Sequence, residues 1–568
     1  MSEVSIVLCG EAGQGIQTVE KVFTNIAKKA GFFVFSTKEY MSRVRGGSNS
    51  TLIRISSEPV AAYIDRIDIL IALSEYALEH LSHRISKKTL ILGEKNHIKN
   101  NKKYKIIEIS FSHIAKELGS KVFSNIIAVG LISALCRINR IITKDEIKSF
   151  FLKKKKIVVE KNINALDKGY DIGLDLIGNK NVRFEISSPH NHHDEIIING
   201  TEAIALGALA GGCNFISSYP MSPSTGVLTF LSQHSPDFNC IVEQAEDEIS
   251  AINMALGAWY AGARAMVTTS GGGYALMTEG ISLAGMIESP IVIHLAQRPA
   301  PATGLPTRTE QADLEHALYS SHGEFPKIIF SPSTIVNGFY LTQKAFNLAD
   351  KYQVPVYILT DQYFVDSFYN IPNLSLRNIR NKNYFVRTIK EYKRYKITKN
   401  GISPRGIPGY GNGIVCVDSD EHDELGHITE SMDIRKEMVD KRLRKFKEIK
   451  KEIFPPIFFG KKDYNILIVG WGSTYNTLKE AISFLKNKDV SLLHFNQVYP
   501  LHPDTKKYLL KAKKTIIVEN NSTSQFSKLI KLHTGYEVTN HVLQYTGLPF
   551  SVETIVDRIN LILKGEKR

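Results

Sequence analysis

Residues 240–277 read CIVEQAEDEISAINMALGAWYAGARAMVTTSGGGYALM, and this stretch decides the fold. "CIVE" is short and apolar and predicts a strand. Four acids follow within six residues: Glu243, Glu246, Asp247 and Glu248. Apolar residues then recur at Ile249, Ile252, Leu256 and Trp259, a spacing that predicts a helix with one buried stripe. "ARAMVTTS" predicts a second strand, "GGG" a turn, and "YALMTEGISLAGMI" a second helix. Strands and helices in this alternation build a parallel, doubly wound α/β sheet.

The alternation extends both ways. Upstream, the helical "TEAIALGALAGG" leads into the strand "NFISSY"; downstream, the strand "PIVIHLAQ" leads into a Pro/Gly-rich loop. In such sheets ligands bind beyond the carboxyl ends of the strands. Ser222 in "YPMSPST", Glu248, Ser270 with Gly271–Gly273, and Arg298 each follow one strand, so all four groups are expected on one rim.

The chain has 568 residues, of which 43% are hydrophobic, enough for three to four soluble domains. Residues 1–182 read as a small α/β domain: the strand "VSIVLCG", the turn "EAGQG" and a helix from "IQTVEKVF", then strands at "STLIRIS", "IDILIAL" and "TLILG". Residues 183–195 read as a linker. His190, His192 and His193 lie there without the cysteines and acids of a definite metal site, so no metal ligand is assigned. Residues 196–380 form the doubly wound domain. Residues 381–460 are an irregular connecting segment carrying a basic helix, "RKEMVDKRLRKFKEIKKEI". Residues 461–568 are another α/β domain, opening at "YNILIVGWGS".

The composition excludes several classes. No apolar run approaches the roughly 18–20 residues of a membrane span. The first residues lack the basic flank and apolar core of a signal peptide. Five dispersed cysteines, none in a C-x-x-C pair, fit reduced thiols in the cytoplasm. They cannot by themselves frame a four-cysteine iron–sulfur cluster. The formal charge of +14 comes from scattered lysines and one run, "KKKK" at 153–156, without zinc-finger or RNA-binding signatures. It reads as a solvated surface suited to an acidic protein rather than to nucleic acid.

Read from the residues alone, each chemical candidate keeps two meanings. Glu248 is a helix-entrance acid favoured by the helix dipole, or a working carboxyl. Arg298, with Thr303, Thr307 and Thr309 in "QRPAPATGLPTRT", is a surface salt-bridge residue or a bidentate carboxylate binder. "TSGGG" lacks the P-loop lysine, and "GEAGQG" has G-x-x-G-x-G order, not the dinucleotide G-x-G-x-x-G. "SRVRGG" (42–47) offers two arginines to a phosphate or a subunit contact.

Taken together, these stretches resemble the 2-oxoacid:ferredoxin oxidoreductases. They are similar to the alpha subunit with a gamma domain fused ahead of it. "GEAGQGIQT" and "SRVRGGSNS" carry the gamma-like part. "YPMSPST", "EDEISAI", "TSGGGYALM", "QRPAPATGLPT", "DEHDELGHITE" and "WGST" carry the alpha-like part, in the family's order. The resemblance implies a thiamine-diphosphate-binding, pyrimidine-type sheet followed by a transketolase C-terminal-like domain.

It further implies that Glu248 hydrogen-bonds N1′ of the thiamine diphosphate pyrimidine, with Pro220, Ser270 and Gly271 beside the cofactor. Arg298 would hold the substrate carboxylate, and Ser222 and Thr307 would add hydroxyl contacts. Ser222 stands where the family has Thr, "SGGG" where it has "SGPG", and "GEAGQG" replaces a more glycine-rich form. The family's "GDG…N" motif and cluster cysteines are missing from the sequence. Thiamine diphosphate would therefore be shared with a separate beta subunit that carries the magnesium ion and a 4Fe–4S cluster. Coenzyme A is the implied co-substrate, ferredoxin the electron acceptor, and a hetero-oligomer the implied assembly. The fused layout is most similar to enzymes acting on 2-oxoglutarate; pyruvate, branched-chain 2-oxoacids or a non-catalytic scaffold are the alternatives. Arg308 is a candidate for a second substrate carboxylate only by its proximity to Arg298 and Thr307.

Overall fold

The computed structural model describes residues 3–12, 15–41, 46–98, 104–179, 182, 184, 186, 194–487 and 489–565. The three linker histidines and residues 42–45 of "SRVRGG" lie outside these. The chain divides into two compact units, Met1–Ile198 with Asp366–Asn373, and Asn199–Val365 with Leu374–Arg568.

The first unit is built on a mixed sheet. Strands Lys105–Glu108, Leu90–Gly93, Ile69–Ala72 and Glu3–Ala12 run parallel, and Gly46–Ser56 and Phe33–Glu39 continue the sheet antiparallel. Strand Phe368–Pro372 then pairs with Phe33–Glu39. The expected 196–380 domain is therefore interrupted: residues 366–373 leave it to extend the first sheet. A pairing between segments more than three hundred residues apart leaves no local pattern in the sequence, because strand propensity says nothing about which edge a strand will join. Helix Ile16–Lys29 buries Val19, Val22, Phe23 and Ile26 against this sheet.

Among the described residues the second unit contains two large sheets and a two-stranded one, Phe385–Thr388 beside Arg405–Gly411. The largest has six parallel strands, in the order Ile328–Phe330, Pro355–Asp361, Ile291–Gln297, Ala265–Thr269, Phe215–Ser218 and Ile241–Gln244. The central strands are buried along their whole length, which explains their continuous apolar runs. The other large sheet has four parallel strands around Ile466–Trp471, with an antiparallel edge at Ile457–Phe459. Strand Gln497–Tyr499 pairs with Ile328–Phe330 and so ties the C-terminal region to the largest sheet.

Helix Glu248–Tyr260 corrects one detail of the sequence reading. Ile252, Leu256 and Trp259 are buried, but Ile249 is 48% exposed. The buried stripe is led by Glu248 itself, four residues before Ile252. Ile249 sits one step round the helix, on its outer face. The acid thus occupies the first position of an apolar stripe.

Candidate active site

The predicted rim forms. Strands Phe215–Ser218, Ile241–Gln244, Ala265–Thr269 and Ile291–Gln297 are parallel neighbours, so the residues that follow them emerge on one side. Ser218 Oγ accepts from Thr268 N at 2.9 Å, and Ser217 Oγ donates to Ala251 O at 2.6 Å. These buried hydroxyls fix the strand ends against each other and against the Glu248 helix.

The opening acids have separate jobs. Asp247 is the N-cap, its Oδ1 accepting from Ser250 N at 2.7 Å. Because Asp247 does the capping, Glu248 is released from it. Glu248 is 2% exposed, and its Oε1 has no hydrogen-bond partner among the described residues. Burial raises its pKa above the usual carboxylate range, and the neighbouring Asp247 charge adds to this. A Cβ on Gly273 would lie 2.2 Å from Glu248 Oε1 and 2.3 Å from Thr269 Oγ1, so only glycine leaves the carboxyl its place. An orphaned, buried carboxyl costs stability wherever it serves no partner. At a sheet rim such a group is a candidate for ligand binding.

Ser270 stands at the N-cap of helix Gly271–Leu276 but makes no capping bond; its Oγ is buried without a partner among the described residues. Gly271 is pressed against Asp313, whose two carboxyl oxygens would each be 2.6 Å from a Cβ there. Arg298 follows the next strand, is 9% exposed, and donates from Nη1 to the main-chain oxygen of Ser222 at 2.6 Å. Burial pulls its pKa down and the Asp313 charge partly restores it. Glu248, Gly273, Gly271, Asp313, Arg298 and Ser222 therefore form one continuous arc.

The remaining candidates sit less centrally. Ser222 is exposed and Pro220 half-buried, both on the turn after the first strand. Thr303 is exposed and Thr307 half-buried. Thr309 is the buried hydroxyl of that loop, but it is engaged in bracing, accepting from Tyr363 N at 3.1 Å and bonding to Asp361. Arg308 packs its side chain beside Gly547.

Two residues of the arc or its support, Asp313 and His294, escaped the sequence reading. Gly273 was expected on the rim, but only as one of three glycines. Asp313, in "TEQADLEH", looks like an ordinary helix-start acid. His294 is fully buried between Thr268 Oγ1 at 2.7 Å and Thr360 Oγ1 at 2.8 Å, and burial pushes its pKa down to about 3, so it is a neutral brace. Among the described residues no group of three or more His, Cys, Asp or Glu is placed to hold a metal ion. None of the described helices is long and apolar enough to cross a membrane.

A family model described as "Pyruvate flavodoxin/ferredoxin oxidoreductase, thiamine diP-bdg" matches residues 206–441. Another, described as "Pyruvate ferredoxin/flavodoxin oxidoreductase", matches residues 5–172. The 2-oxoacid:ferredoxin oxidoreductase subunit alpha of a Sulfolobus species is 30% identical over 100% of this chain and 98% of its own. The 2-oxoglutarate synthase subunit KorA of Methanocaldococcus jannaschii is 33% identical over 57% of this chain and 87% of its own. The solved 2-oxoglutarate:ferredoxin oxidoreductase of Magnetococcus marinus, with 2-oxoglutarate, coenzyme A and succinyl-CoA bound, matches with a TM-score of 0.92 at 31% identity, covering 99% of each chain. With similarity running the full length, this chain belongs to the 2-oxoacid:ferredoxin oxidoreductase family, as an alpha subunit with a gamma domain fused at its N-terminus.

Proposed function

We propose that this chain, together with a separate beta subunit, oxidatively decarboxylates a 2-oxoacid, with 2-oxoglutarate as the first choice. The products are the acyl-CoA and carbon dioxide, and the two electrons pass to ferredoxin. The observation that carries this reading is the buried Glu248 carboxyl, whose Oε1 lacks a partner among the described residues, on the same arc as Arg298. The bound ligands of the Magnetococcus marinus relative support the choice of 2-oxoglutarate and coenzyme A.

The residues fit thiamine diphosphate. Glu248 offers an unpartnered carboxyl oxygen, Gly273 keeps the space beside it free of a side chain, and Ser270 offers an unengaged hydroxyl. Glu248 would meet the pyrimidine N1′, with Pro220, Ser270 and Gly271 alongside. When bound, the cofactor supplies the electron sink for the carbanion left by decarboxylation. The chain's own part is to hold protons and charges in place. Burial biases Glu248 toward its neutral form, which can donate a hydrogen bond from Oε1 to a ring nitrogen and exchange that proton during turnover. Arg298 is preorganised by the Ser222 carbonyl and presents its remaining N–H groups to the substrate carboxylate. Ser222 and Thr307 would add hydroxyl contacts. The magnesium ion and the 4Fe–4S cluster belong, on this reading, to the beta subunit, because the sequence holds neither "GDG" nor a C-x-x-C pair.

The test is anaerobic viologen reduction by this chain co-purified with its beta partner, given thiamine diphosphate, coenzyme A and a panel of 2-oxoacids. Reduction with 2-oxoglutarate is the expected result. Preference for pyruvate, the substrate in the descriptions of both matching family models, would replace the substrate assignment. No reduction by an assembled, cluster-loaded complex would overturn the reading.

A further inference from the structure

One titratable group on the arc has no part in the function proposed above. Asp313 is 5% exposed, and its backbone N–H donates to Gln297 Oε1 at 2.9 Å. Gln297 is itself held by Thr360 O at 3.1 Å, so Asp313 is anchored to the end of the strand that delivers Arg298. It occupies the N-cap position of helix Leu314–Tyr319 yet its side chain makes no capping bond. The carboxyl points instead under Gly271, and Oδ2 has no partner among the described residues. The charged and titratable groups around it are Arg298, Glu310 and Tyr274, and His316 packs edge-on against Tyr274. Burial pushes the Asp313 pKa up to about 7; the Glu310 charge adds to this and Arg298 opposes it.

An ionised Asp313, itself buried like Arg298, would offset the guanidinium charge and repel an incoming carboxylate. A neutral Asp313 leaves the guanidinium charge for the substrate. We propose that Asp313 must be protonated for a 2-oxoacid carboxylate to settle on Arg298, so that substrate binding is linked to a proton held on Asp313. Asp313 is thus a positioning residue acting through Arg298, and the inference rests on the reading of Arg298 as the carboxylate site. The sign follows from the linkage. Below about pH 7 the site is ready for substrate. Above it a proton must be taken up on binding, and apparent affinity falls by up to about tenfold per pH unit.

The experiment measures KM for the 2-oxoacid and kcat from about pH 6.5 to about pH 8.5 in the assembled complex, for the wild type and for Asp313→Asn, which is neutral and nearly isosteric. The wild-type KM should rise by about tenfold over the last pH unit. In the variant, KM should stay flat and low while kcat keeps its own pH profile. A wild-type KM that does not change over this range overturns the proposal without any variant. So does a variant that keeps the wild-type rise. A complex that turns over no 2-oxoacid would overturn the functional reading and this proposal together, whereas turnover with a flat KM would count against Asp313 alone.

Discussion

Glu248 shows how a residue's neighbours assign its job. Asp247 takes the capping role, Gly273 withholds a side chain, and the apolar stripe beginning at Glu248 keeps water away. A buried carboxyl whose pKa is raised and whose Oε1 has no partner among the described residues is suited to holding a proton, and an amide cannot replace it. Glu248→Gln should leave the complex assembled but lower turnover by about 10²–10⁴-fold, measured by viologen reduction alongside size-exclusion chromatography. Near-normal turnover would remove Glu248 from the chemistry. Arg298→Ala should act differently. It would remove the proposed charge-assisted, two-point contact to a carboxylate, so KM should rise by about 10- to 100-fold with a smaller change in kcat. An unchanged KM would take Arg298 out of the substrate site. The rim positions of both residues were legible in the sequence because each comes shortly after a recognisable strand. Asp313 was not. An acid before a helix reads as a cap, and only the folded chain shows its carboxyl turned away from the helix and toward Gly271.

Among the elements, helix Met432–Ile449 departs furthest from what its composition suggests. Its run of lysines and arginines reads as a solvated basic surface. In the fold Lys441 and Lys445 are buried, and each lies 2.5 Å from a carboxyl oxygen of Glu288, which is 1% exposed. Burial alone would push the Glu288 pKa up, but the two lysines and Arg394 hold it well below the usual range. One carboxylate thus pins the helix to the segment preceding strand Ile291–Gln297. Glu288→Gln would strand two buried cations and should destabilise the unit by about 3–5 kcal/mol, read as a lowered midpoint in denaturant unfolding. Restoring an apolar match with a further Lys441→Met change should recover part of the loss. An unaltered midpoint in the single variant would show that the lysines relax to solvent. The alternating strands and helices of 196–365 were readable because their periodicity is local. The pin was not, because its partners are 153 residues apart and only packing brings them together. The same reasoning covers Phe368–Pro372, a short strand whose sequence does not reveal that it joins the first sheet.

At the scale of the whole molecule, the proposed function gives the chain one half of a binding problem. On that proposal it would supply a carboxyl for a pyrimidine ring and a guanidinium for a substrate, and the cofactor these imply also has a diphosphate. Two negative phosphate groups need a cation or a dense set of donors to leave water, and such sites are recognisable as short motifs that hold a magnesium ion. The sequence contains no "GDG" motif for this purpose. One hydrogen bond from Glu248 contributes on the order of 1–3 kcal/mol, equivalent to an affinity far weaker than micromolar. The isolated chain should therefore bind thiamine diphosphate with magnesium at least about 100-fold more weakly than the complex with its beta subunit, by isothermal titration calorimetry on each. Glu248→Gln should weaken binding in the complex by only about tenfold, since the diphosphate anchor would remain. Tight one-to-one binding by the isolated chain would mean that the diphosphate is held by residues of this chain, and the division of the site between two subunits would have to be abandoned.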